Sequence, residues 1–306
     1  MFNQLSNDQI KKILIEKGLN YFGEIIKSNV GFSNDVYFVG NHVLKVGKSE
    51  EDRNFLRREA FFYGLFANKL PVPKVIVKDF SSNPPYFIYK KIVGTNLYTH
   101  WHQYTNQQRR NAVRCICEYL CLINLEDPRP YCEKFGVDPN RDWQNYVLAK
   151  LEKWKQQAVK QDLISNSQVG RINELVEVHK DSLKESKMAL TYYDPHFDNI
   201  LVKNGEVTGI LDLERTDYLS IDFVLDLAKR MVDYPTKYVS EESKNLIKKE
   251  DYNQLLKWYK EFYPQLFEFD QLEKRLKLYG VRYTLKILTM FPRSKQAKSE
   301  LVEVLR

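Results

Sequence analysis

The chain has 306 residues, 43% hydrophobic and 28% charged, a globular composition that argues against disorder and against an integral membrane protein. Its net charge of +7 is uneven: residues 1–100 hold 14 Lys/Arg and 9 Asp/Glu, the remainder 33 and 31. That excess suits a polyanion such as a nucleoside triphosphate, whereas interspersed signs and the lack of a nucleic-acid motif argue against nucleic acid. No apolar run is long enough to cross a bilayer, and the start, MFNQLSNDQIKK, lacks a secretory pattern, so the expected setting is cytoplasmic with no membrane partner.

Ser6 ahead of DQIKKILIEKG reads as an N-cap, and Gly18 stops the short amphipathic helix that follows. Strands are expected at about 21–28, 36–39, 42–46, 75–80 and 86–91, punctuated by Gly31, by Gly40-Asn41 and by the Ser-Ser-Asn-Pro-Pro stretch at 81–85. One helix interrupts them at 51–67, with Phe55, Phe62, Leu65 and Phe66 at helical spacing and Pro71 and Pro73 closing the element. Beyond Gly94 the pattern turns helical, at 106–125, 141–160, 166–183, 219–233, 252–263 and 269–290. Short strands are expected at 188–191, 200–202 and 208–212. The expected fold class is therefore α+β with two lobes: residues 1–93 as an antiparallel sheet with one inserted helix, and residues 94–306 as a larger, mainly helical lobe. Cys115, Cys117 and Cys121 share one helix at offsets that do not converge as metal ligands need, so they and Cys132 read as free thiols.

Residues 189–215, ALTYYDPHFDNILVKNGEVTGILDLER, place Asp194 and Asn199 on a loop between strands and Asp212 at the end of the strand after the Asn204-Gly205 turn. Phosphoryl transfer needs a carboxylate to orient the attacking hydroxyl and oxygen ligands for Mg²⁺ on the phosphates. The spacing of Asp194 and Asn199 is that of the kinase catalytic loop D-x-x-x-x-N, and Asp212 stands where the D-F-G aspartate does. Upstream, Lys45 lies on a strand among Val43, Leu44 and Val46, facing either solvent or a cleft. Glu59 on the next helix is a candidate to pair with it.

Together these segments resemble the aminoglycoside phosphotransferase and choline kinase superfamily, phosphotransferases of protein-kinase-like fold. The resemblance runs over about residues 28–230 and rests on GFSN at 31–34, VLK at 43–45, YYDPHFDN at 192–199, LDLE at 211–214 and DFVLDLA at 222–228. It implies a nucleotide-dependent enzyme, ATP or GTP being the co-substrate and Mg²⁺ the cofactor. Asp194 would be the catalytic base, Asn199 and Asp212 the metal ligands. Lys45 and Glu59 would position the phosphates, Ser33 and Asn34 would lie at the nucleotide loop, and the backbone from Lys90 to Ile92 would meet the purine. Asp222, helped by Asp226, would brace the catalytic loop, and His196 would be a hydrogen-bonded loop brace. Tyr192 replaces the usual loop histidine, and Ile123-Asn124 replaces the usual Leu-His at the end of the first large helix.

The expected acceptor is a small-molecule hydroxyl, first an aminoglycoside and second a metabolic alcohol such as choline, ethanolamine, homoserine or a sugar. A nucleotide-binding pseudokinase is the reading from another class. A polycationic acceptor needs carboxylates, for which Glu214 and Asp217 are the candidates, with Glu241, Glu242 and Glu261 nearby. Trp143, Tyr146, Trp154, Trp258, Tyr259 and Phe262 suit apolar or cation–π contact, although their spacing fits core packing equally. A monomer or weak dimer is expected.

Overall fold

A computed structural model of the chain describes residues 2–19, 23–28, 34–238 and 245–306. The chain divides into two compact units, one built mainly from residues up to 112 and from 195–216, the other from 113–194, 217–238 and 247–306. The boundary expected at 93–94 lies inside the first unit, which also takes in the hairpin beyond residue 195.

In the first unit, β1 (Ile25–Lys27), β2 (Asn34–Val39), β3 (His42–Gly47), β4 (Val75–Asp79) and β5 (Tyr86–Lys90) make an antiparallel sheet in the order β1-β2-β3-β5-β4. The two-residue loop joining β2 to β3 has Gly40 at φ 56°, the positive φ that a Gly-first hairpin turn requires. Strand alternation then sorts the side chains. Leu44, Val46, Tyr86 and Ile88 form one core with Ile10 and Leu14 of α1 (Asn7–Glu16), a helix capped by Ser6 through a reciprocal bond pair with Gln9. Lys45, one residue out of phase and paired with Phe87 in register, falls on the opposite face.

That opposite face belongs to α2 (Glu50–Phe66), whose Leu56, Phe62, Tyr63 and Phe66 are buried. The Tyr63 ring meets those of Phe87 and Tyr89 at 6.2 and 6.1 Å. The unit is completed by β6 (Thr95–Asn96), β8 (Ile200–Lys203) and β9 (Glu206–Ile210), in the order β6-β8-β9. The β8–β9 turn is Asn204-Gly205 with φ of 53° and 84°, the doubly positive pair that Asn-Gly favours. Ahead of β6, Gly94 has φ 159° and no room for a side chain, because a Cβ there would stand 2.7 Å from Thr208 Oγ1 and 3.1 Å from the Val202 carbonyl. The short α3 (Leu97–Trp101) follows, with Trp101 buried against Phe197 at 4.4 Å.

The second unit contains most of α4 (Asn106–Asn124), then α5 (Arg129–Phe135), α6 (Trp143–Lys160), α7 (Asn166–His179), β7 (Met188–Tyr192), β10 (Thr216–Ser220), α8 (Val224–Asp233), α9 (Leu255–Phe262), α10 (Leu272–Met290) and α11 (Lys295–Val304). The central helix α10 buries Leu278, Tyr279, Val281 and Leu285. One expectation is corrected here: the helix anticipated from 219 begins at Val224, because residues 216–220 are extended and pair with β7. The strand expected to reach Asp212 ends at Ile210. The elements α3, α5, α11, β6 and β10 were not anticipated. All four cysteines are free, and burial pushes the Cys117 thiol pKa upward.

Candidate active site

The sheet and α2 bring Lys45, Glu59 and Asp212 together within the first unit. Lys45, 5% exposed, has its ammonium 2.7 Å from Glu59 Oε2, donates to Asp212 Oδ1 at 2.5 Å and stands 4.0 Å from Glu214 Oε2. Alternation had left two directions open to this lysine, and the buried one is taken. Desolvation opposes its charge, but Asp212, Glu59 and Glu214 outweigh that cost and raise its pKa well above the ordinary value. Burial pushes Glu59 up to about 8, with Asp212 and Glu214 adding to the rise against the pull of Lys45. Asp212 is lowered, because Lys45 overcomes its desolvation. Three carboxyl groups gather on one ammonium at a cost in desolvation that is met in two ways: Arg215 also stands 3.5 Å from Glu214, and burial drives Glu59 to hold a proton.

Asp212 lies two residues beyond β9 in the left-handed region, φ 54° and ψ 44°, uncommon for a residue with a side chain. Its backbone N–H donates to Tyr63 Oη at 3.0 Å, and the same hydroxyl donates to Glu59 Oε1 at 2.6 Å. Tyr63 was missed as a site residue, and its signal was positional: it stands four residues after Glu59, on the same helix face. The Leu211 N–H donates to the Asn199 carbonyl at 2.8 Å, tying the turn that carries Asn199 to the segment that carries Asp212. The donor types suit a hard cation: a half-exposed carboxylate on Asp212 and an amide on Asn199. Among the described residues no three His, Cys, Asp or Glu close around a metal position, as expected where Mg²⁺ takes one or two protein oxygens and fills its shell with water and phosphate.

Asn34 donates to Glu214 Oε2 at 3.4 Å, while Ser33 lies outside the described residues, as do Gly31, Glu241 and Glu242. Lys90 and Ile92 stand at and just past the end of β5; the Lys90 N–H already donates to the Lys74 carbonyl at 3.0 Å. His196 is half-buried, its Nδ1 3.6 Å from Asp198 Oδ2 and its ring 5.1 Å from that of Tyr98, and its carbonyl accepts from the Asn199 N–H at 2.8 Å. These contacts fit a loop brace.

Asp194 belongs to the second unit, two residues past β7 and one before Pro195. Tyr192, in the usual histidine position, is fully buried. Asn124, where the resemblance expects histidine, donates its amide to the Leu190 carbonyl of β7 at 2.6 Å and accepts from Tyr263 Oη at 2.8 Å, so this departure preserves a bond to the strand that leads to Asp194. Asp222 accepts from Ser220, from Arg275 (Nε 2.7 Å, Nη2 2.9 Å) and from Tyr279 Oη (2.9 Å), a fully buried guanidinium on α10 taking both carboxylate oxygens. Asp226 pairs with Arg230 one turn along α8.

Of the acidic residues considered for an acceptor, Glu214 is buried beside Lys45 and Arg215. Asp217 accepts from Tyr131 Oη at 3.0 Å, from Arg141 Nη1 at 3.4 Å and from the Tyr218 N–H at 2.8 Å. Glu261 is exposed on α9. Trp143 is buried and donates to Tyr279 Oη at 2.9 Å, and Trp258 and Tyr259 are buried too, which is core packing.

No curated protein sequence matches. Among solved structures, the fold is shared with aminoglycoside phosphotransferase APH(2'')-Ib bound to ADP (TM-score 0.71, 17% identity, 99% of this chain and 97% of that one). It is shared too with the gentamicin complex of APH(2")-IIa (0.73, 17%, 99% and 96%) and with APH(4)-Ia (0.69, 16%, 98% and 99%). No helix among the described residues is long and apolar enough to cross a membrane. The profile of the phosphotransferase enzyme family matches residues 24–255, most of the chain, and the chain belongs to that family: it is a nucleotide-dependent phosphotransferase whose acceptor is a hydroxyl group.

Proposed function

We propose that the γ-phosphoryl group of ATP or GTP is moved to a small-molecule hydroxyl with Asp194 as general base, while Lys45, held by Glu59, positions the phosphates. The observation that carries this reading is the buried Lys45 ammonium between Glu59 at 2.7 Å and Asp212 at 2.5 Å. Such an ammonium has its direction fixed before nucleotide arrives, so little reorganisation is needed on binding. The backbone of residues 90–92 meets the purine, and Asn34 serves the nucleotide loop. Asn199 and Asp212 are the residues that would hold Mg²⁺, which when bound offsets charge on the phosphate oxygens. In the transfer itself the acceptor oxygen bonds to the γ-phosphorus while the bond from that phosphorus to the β–γ bridging oxygen breaks. The nucleoside diphosphate leaves with the electron pair, and the hydroxyl proton passes to the Asp194 carboxylate.

Aminoglycoside ligands in the neighbouring structures support an aminoglycoside acceptor. Against it, Glu214 and Asp217 are both committed to cations of the protein, and a polycation gains little from carboxylates already neutralised. This favours a metabolic alcohol. Transfer of labelled phosphate from ATP across a panel of aminoglycosides and simple alcohols tests the class of acceptor. Asp194→Asn should lower turnover by about 10²–10⁴-fold with nucleotide affinity preserved; nucleotide-dependent transfer at the parent rate in that variant would remove Asp194 from the chemistry.

A further inference from the structure

The second unit contains a group of cationic and aromatic side chains around Tyr193, the residue before Asp194, that the phosphoryl chemistry does not use. Tyr193, the residue before Asp194, has its ring 5.5 Å from that of Phe223, and the Arg282 guanidinium sits 4.8 Å from the centroid of Phe223. Tyr146 on α6 carries two more cations on its ring, Arg141 at 4.5 Å and Lys150 at 5.4 Å, and its hydroxyl lies within electrostatic reach of Tyr193, Arg282 and Asp217. Four side chains from α6, α10 and the segment before α6 thus surround one place.

Their charges are not balanced. Arg141 is satisfied, donating to Asp217 and to the Tyr218 carbonyl at 2.7 Å. Among the described residues Lys150 and Arg282 form no ion pair, and the buried Nε of Arg282 has no hydrogen-bond partner there. Burial lowers the pKa of Lys150, and Lys153, Arg141 and Arg282 lower it further, against Asp217 alone. Half-buried cations that repel one another with Asp217 as their shared counter-charge are destabilising, and a bound anion relieves that cost. Arg282 held over an aromatic ring and Lys150 on the next helix offer the planar fork and the point charge with which proteins grip carboxylate and phosphate.

We infer that the hydroxyl acceptor of this phosphotransferase carries an anionic group, a carboxylate or a phosphate monoester, which Lys150 and Arg282 bind while Tyr146 and Tyr193 wall the uncharged part of the molecule. The inference rests on the reading of Asp194 as the residue that addresses the acceptor. It also accounts for Asp217 being spent on Arg141: Asp217 orients a cation and is not left to attract an amine.

The test uses two matched pairs of acceptors on the full chain, glycerate with glycerol and ribose 5-phosphate with ribose, and the cationic amines serinol and kanamycin as controls. Phosphoryl transfer from ATP should favour the anionic member of each pair by at least about tenfold in kcat/KM, and the preferred pair separates a carboxylate from a phosphate requirement. Lys150→Gln and Arg282→Gln should each remove most of that preference by raising KM for the anion, with nucleotide affinity unchanged and the melting temperature not lowered. Lys150→Arg should restore it, which a merely structural role would not produce. Faster transfer to kanamycin or serinol than to any anion overturns the inference and leaves the phosphotransferase intact. If no acceptor is phosphorylated, titration of glycerate and ribose 5-phosphate by calorimetry decides: binding weakened at least tenfold in Arg282→Gln supports the anion site, and no binding overturns it.

Discussion

Two buried ion-pair networks in this chain differ in how far the protein satisfies them. Around Asp222, a fully buried guanidinium and carboxylate meet in a fork, Ser220 and Tyr279 add bonds to the carboxylate, and the carbonyls of Ser182 and Glu185 accept from Arg275 at 2.6 Å. Around Lys45, three carboxylates face one ammonium and Asp212 is half exposed. A closed network holds helices in place. A network with one open, ionised member, Asp212, is suited to receive a ligand that brings positive charge.

The sharpest way to break that contrast is to remove Asp222. Asp222→Ala strands Arg275 in the core and should cost about 3–5 kcal/mol of stability, read by denaturant titration, with turnover per folded molecule nearly unchanged. Lys45→Met should lower kcat/KM for nucleotide by about 10²–10³-fold at a smaller stability cost, because Glu59 can take up a proton and Asp212 is half exposed; equal damage to folding in both variants would erase the distinction. Tyr63→Phe removes only the hydroxyl between Glu59 and the Asp212 N–H, and a loss of about 1 kcal/mol is expected, visible as a lower melting temperature.

The gentlest change is one of slope. Glu59 binds its proton more tightly folded than unfolded, so between the ordinary 4.5 and about 8 the native state holds the extra proton and stability falls as pH rises. Glu59→Gln should flatten stability against pH across that window. An unchanged slope would mean that Glu59 stays ionised beside Lys45.

Much of the Lys45 network was legible in the sequence, since Lys45, Glu59 and Asp212 each sit at a spacing that phosphoryl chemistry dictates. Strand alternation alone did not decide which face Lys45 takes; that came from register against Phe87 and from α2. The left-handed turn at Asp212 was invisible because LDLE reads as a strand continuing past Ile210. Short α3 and α5, of five and seven residues, fall below the length at which periodicity speaks, and β10 was lost because its apolar run joined that of α8. The partner of Asp222 could not be read at all, as 53 residues separate it from Arg275 and nothing local marks the pairing.

The interleaving of the two units bears on synthesis. A nascent chain that has emerged only to residue 112 has its five-stranded sheet and α2, yet Asp212 and Glu214 come a hundred residues later. Until then Glu59 is the sole partner Lys45 can have of the three, and the first unit remains unfinished while the first half of the second is being made. Ordering of its sheet should therefore lag translation of its strands, and trypsin digestion of stalled ribosome complexes would show protection arriving only after residue 216.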